Sequence, residues 1–95
     1  MSLRTRVLGS TVIGGVSHVV TEVVAAGPGA MVGKRVDELE REFAVKVLAI
    51  TPAGGGATQS PPAASAVVSR GDKVVIHATA AATANIAAGA MRLRA

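Results

Sequence analysis

Two short stretches, each turning on a glycine, most constrain what this chain can fold into. They are Met31-Val32-Gly33-Lys34-Arg35-Val36-Asp37-Glu38-Leu39 and Ser69-Arg70-Gly71-Asp72-Lys73-Val74-Val75-Ile76. The first reads as a glycine turn running into a short amphipathic helix, the second as a tight turn feeding a β-branched strand. Neither holds a set of groups that could do chemistry. The expectation is therefore a binding or regulatory domain, not an enzyme.

A chain of 95 residues is one small domain, with a core near the lower limit of independent stability. Apolar residues make up 49% of it and aromatics 1%, with Phe43 alone, so the core must be built from Val, Ala, Leu and Ile. A low-aromatic core of this size leaves apolar strand surface that association would bury, and a homodimer is expected. Cysteine is absent. That removes disulfides, thiolate metal sites and cysteine nucleophiles together, and makes the cytoplasm the default location.

The formal charge of +4 and a pI near 10.8 invite a nucleic-acid reading. The basic residues are scattered as pairs at most, however, and no aromatic side chain interleaves them for base stacking. A solvated surface accounts for them better. No run of about 18 apolar residues exists, so no bilayer-spanning segment is expected. Arg4 and Arg6 before the apolar residues 7–16 imitate a signal peptide, but serine, threonine and glycines dilute the run. Met1-Ser2-Leu3 looks like a start supplied by an expression vector. Residues 1–18 thus read as an N-terminal extension, linker or vector-derived start, and residues 19–95 as the domain.

Residues 17–26 carry Val19, Val20, Val23 and Val24 and read as a strand ended by Gly27-Pro28-Gly29. From Arg35 to Phe43, Val36, Leu39 and Phe43 share one helical face, Asp37 and Glu38 suit the first turn, and Asp37 can pair with Arg41. Residues 44–50 read as a buried strand that Thr51-Pro52 ends. Glycines and consecutive prolines between Ala53 and Ser65 block a helix or central strand. That segment is either a flexible loop or hides an edge strand near residues 57–60. Residues 73–78 form the clearest strand. Residues 79–90 are an alanine-rich helix candidate with Ile86 its only large apolar residue and Gly89 as a cap. Residues 90–94 alternate like a strand, or form a last helical turn. The fold class that follows is α+β: a small mixed β-sheet with one short helix after the first strand and a C-terminal helix.

Several groupings imitate chemistry. Gly27-Pro28-Gly29 to Gly33 brushes the dinucleotide fingerprint, but the third glycine is one residue late, Pro28 lacks a donor, and no acidic residue ends the next strand. His18 and His77 are the only histidines, and no acidic residue stands at ligand spacing, so no metal site is expected. Ser17 and His18, adjacent on a strand, point to opposite faces and cannot act as nucleophile and base. Arg70-Gly71-Asp72 spells an adhesion tripeptide where a turn is required. Asp37, Glu38, Glu40 and Glu42 read as a solvated helix face.

In order, these pieces are a strand, the turn Val32-Gly33-Lys34, a helix ending in residues 39–43, the strand Val45-Lys46-Val47-Leu48-Ala49-Ile50, a Pro-rich loop, then Val68-Ser69-Arg70-Gly71-Asp72 and a strand. Taken together they resemble the C-terminal domain of regulators of potassium conductance, also called TrkA-C, over residues 19–86. The resemblance implies a dimer-forming α+β domain attached to potassium channels, potassium uptake systems or cation antiporters on the cytoplasmic side. It implies regulation by a ligand at the two-fold interface, with no cofactor required.

Cyclic dinucleotide is the ligand of some members, and the resemblance implies contacts from Val47, Leu48 and Ile50. The family places a basic residue after that strand to meet phosphates, where this chain has Thr51 and Pro52. The alternative is a structural or protein-interaction module with no small-molecule ligand.

Overall fold

The computed structural model describes residues 5–25 and 31–84. Its elements run β1 (Thr5–Ile13), β2 (Val16–Val24), α1 (Val36–Phe43), β3 (Lys46–Thr51) and β4 (Lys73–Thr79), and a second short helix, α2, begins at residues 80–84. The four strands form one sheet in the order β1-β2-β4-β3, and every neighbouring pair is antiparallel.

The α+β class is as expected, but the sheet is not mixed. The unit β2-α1-β3 brings its two strands into the same direction one place apart. β4 then inserts between them, antiparallel to both, as in a split crossover. The helix also follows the second strand, not the first, because residues 5–13, assigned above to an N-terminal extension, form β1. Gly14 and Gly15, with φ of +58° and +81°, supply the positive angles that a two-residue type I′ hairpin requires. The boundary drawn between residues 18 and 19 accordingly falls within β2.

Alternation along the inner strands sorts their side chains. Val23 on β2, Val74, Ile76 and Ala78 on β4, and Val47 and Ile50 on β3 are buried under α1, which contributes Val36 and Leu39. Ala25, Met31, Val45, Val68 and Ala82 complete the core, and Phe43 packs against its rim. Burying each large aliphatic side chain contributes about 1.5–3 kcal/mol, so this single face carries most of the hydrophobic stabilisation. β1, by contrast, is exposed along its whole length.

The helix is held at both ends. The backbone N–H of Arg35 donates to Glu38 Oε1 at 2.9 Å, and the otherwise orphaned first-turn N–H groups of Val36 and Asp37 donate to the carbonyls of Ala66 and Ala64. At the other end Ala44 adopts the left-handed conformation that closes a helix. Asp37 pairs with Arg35 at 2.9 Å, not with Arg41, since the guanidinium at the cap lies within reach of the first turn. Of the expected helix over residues 79–90, Thr79 instead ends β4, where it pairs with His18, and residues 80–84 are helical; residues 85–90, with the expected strand at 90–94, the turn Gly27-Pro28-Gly29 and Met1-Ser2-Leu3, lie outside the described residues.

Candidate functional site

The strand singled out for ligand contacts does not present one surface. The pairing of β3 with β4 slips between Val47 and Ala49, leaving Leu48 as an extra, bulged residue. A regular strand returns to the same face every second residue, so the bulge is what lets Val47 and Ile50, three apart, both point inward. They are only 1% and 4% exposed, whereas Leu48 is 37% exposed. Val47 and Ile50 are therefore core residues of the chain, and Leu48 alone of the three reaches the surface. Nothing in the sequence around Leu48 marks a bulge.

The outer edge of β3 is closed. Ile50 and Gln59 exchange both backbone hydrogen bonds, at 3.0 and 2.9 Å, and so the edge pairing near residues 57–60 is present as a single bridge. Ser60 Oγ donates to the Leu48 carbonyl at 3.2 Å, and the hydroxyls of Thr51 and Thr58 lie 2.8 Å apart. From the helix, Glu40 accepts the Val47 N–H at 3.0 Å and pairs with Lys46 at 3.6 Å. Thr51 and Pro52 are half-buried and bring no positive charge to this end of the strand.

The first glycine-turn stretch meets Val68, the residue that leads into the second. Gly33, with φ of +86°, donates its N–H to the Val68 carbonyl at 2.8 Å, and Val68 returns its N–H to Lys34 at 2.9 Å. Asp72 anchors the second stretch: its carboxylate is buried and accepts the N–H groups of Ser69 at 2.9 Å and Ala53 at 3.0 Å. An adhesion motif would need that carboxylate free, but here it ties a turn to a loop. Gly71 has φ of +88°, a conformation that favours glycine, and a Cβ there would make a tight 3.0 Å contact with the Ala53 methyl.

The acidic row of α1 is also engaged within the chain. Asp37 holds Arg35, Glu38 holds the Arg35 N–H, Glu40 holds β3, and Glu42 pairs with Lys34 at 3.0 Å. These carboxylates fix the helix to its surroundings more than a merely solvated face would. On the sheet face away from α1, the rings of His18 and His77 stack with centroids 5.2 Å apart and planes inclined by 18°. Sequence alone could not pair them, because 59 positions separate them and the β2–β4 register brings them together. Among the described residues, no three His, Asp or Glu side chains gather as a metal-binding group, and no helix is long and apolar enough to cross a membrane.

The groups assembled here interlock backbone segments and leave Leu48, Val67, the half-buried His18–His77 stack and the exposed β1 turned outward. Compared with known proteins, the chain matches no family model and no curated protein.

Proposed function

We propose that this chain is a TrkA-C-like regulatory domain of a cation transport protein, a potassium channel, potassium uptake system or antiporter, and acts at the cytoplasmic face by dimerising. Regulation of this kind needs no chemistry. It requires only that a ligand or partner bind two arrangements of the dimer with different affinity.

The observation that carries this reading is the reciprocal hydrogen bonding between Gly33-Lys34 and Val68. The two stretches whose order carries the resemblance also join as one unit around α1 and β4. In this reading the small-molecule contact on β3 falls to Leu48, because Val47 and Ile50 fill the core. Light scattering across a concentration series tests the dimer, and a chain that stays monomeric at the highest concentration overturns the regulatory reading. Calorimetric titration with a cyclic dinucleotide tests the ligand. Absence of both heat and thermal shift rejects that ligand and leaves the domain assignment in place.

A second reading, an interaction module without a small-molecule ligand, is favoured by the inward turn of Val47 and Ile50 and by the missing charge at Thr51 and Pro52. Its signature is a dimer that forms and melts identically with and without the nucleotide.

A further inference from the structure

We propose that the sheet face opposite α1 is a platform for single-stranded nucleic acid, on which a base stacks against the His18–His77 pair while cations around it meet the phosphates. The proposal goes beyond the regulatory reading and rests neither on its dimer nor on its ligand at Leu48.

Taken in chain order, the cations are scattered and no aromatic ring interleaves them. The sheet register replaces that order. His77 lies between Ile76 and Ala78, both buried under α1, so its ring belongs to the other face, and the pairing of β2 with β4 sets His18 there beside it. Both histidines thus stand on the two central strands. Directly opposed residues of an antiparallel pair share a face. Arg6 opposite Glu22, Lys46 opposite His77 and Lys73 opposite Val24 therefore lie on the histidine face, three cations against one carboxylate.

Charge complementarity selects the occupant. On the far side of the sheet, α1 carries Asp37, Glu38, Glu40 and Glu42 against Arg41 alone. A polyanion is drawn to the histidine face and repelled by the helix. Arg6 and Lys46 already have carboxylate partners at 3.7 and 3.6 Å, but their side chains are 71% and 67% exposed. Ion pairs so exposed contribute little, and phosphates compete for both cations.

The stack supplies what phosphate attraction lacks. Planes inclined by only 18° do not converge on one metal ion, yet they accept a third flat ring at either end. Toward β3 that end is flanked by Lys46. Toward β1 it is open, because Gly9, on the same face opposite Val20, has no side chain and a Cβ there would meet nothing within 4 Å. A base entering over Gly9 meets the outer face of the His18 ring. Histidine is among the side chains that stack bases, and such stacking is tolerant of sequence because every base has a π-face.

Fluorescence anisotropy with a labelled oligothymidylate of about ten nucleotides tests the platform. Three phosphate contacts predict a slope of about −2 for the logarithm of affinity against that of salt concentration. H18L is expected to weaken binding about tenfold and leave the slope unchanged. K73Q is expected to flatten the slope by about 0.7, whereas R41Q, the same loss of charge on the helix side, changes neither slope nor affinity. His18 and His77 are the only histidines, so ring-proton NMR of the unaltered protein reports stacking directly. The oligonucleotide is expected to move the His18 signal upfield, and inorganic polyphosphate to leave it in place.

No anisotropy change at low salt overturns the platform. Equal weakening by K73Q and R41Q also overturns it, since charge then acts without a site. Duplex DNA bound as tightly as the single strand, or a mononucleotide that moves the His18 signal as far at equal concentration, overturns the single strand as occupant. Should H18L fail to fold, the His18 signal of the unaltered protein decides alone.

Discussion

The two edges of the sheet receive opposite treatment. Both edge strands carry a bulge, but the β3 edge is short and roofed: Gln59 pairs with Ile50, Ser60 bonds to Leu48, and Glu40 takes the Val47 N–H. The β1 edge is nine residues long and carries aliphatic side chains into solvent on both faces. The difference teaches where the chain spends its polar groups. Beside β3, polar side chains are spent on backbone partners within this chain, while the aliphatic side chains of β1 stay exposed.

If stability resides on the closed side, substitutions there must cost far more than substitutions on β1. The largest effect is expected for Ile76→Ala, which opens a void between β3 and β2 at a fully buried position; a loss of about 2–5 kcal/mol should appear in urea melts. Asp72→Ala strips the acceptor from the N–H groups of Ser69 and Ala53 and is expected to cost about 2–3 kcal/mol. Glu40→Ala unlatches the helix from β3 and should cost about 1 kcal/mol, with faster amide exchange at Val47 as its local mark. Smallest of all, Val7→Thr at a concentration where the chain is monomeric should shift stability by no more than about 0.5 kcal/mol. A Val7→Thr cost rivalling that of Asp72→Ala would erase the contrast between the edges.

Legibility in the sequence follows the same division. Local period and turn chemistry predict β2, α1, β3 and β4 to within one to three residues, because Val-rich runs, the 36/39/43 spacing and the Gly71 turn are all short-range signals. The hairpin carried an equally short-range mark in Gly14-Gly15 between apolar residues. It was masked by the likeness of residues 7–16 to a diluted leader. Non-local pairing was not legible at all: the insertion of β4 between β2 and β3 and the stacking of His18 on His77 depend on register across the sheet. For the ligand strand, apolarity was readable while direction was not, since one bulged residue decides which side chains face the core.

Leu48 makes chain length, rather than residue type, the free variable in β3. Removing that one residue would restore plain alternation and keep the flanking valine and isoleucine on the buried side. Homologues one residue shorter here would thus keep the same interior. An ungapped alignment across this strand would instead set the valine or the isoleucine against a residue of the opposite face, and so read a conserved core as a changed one.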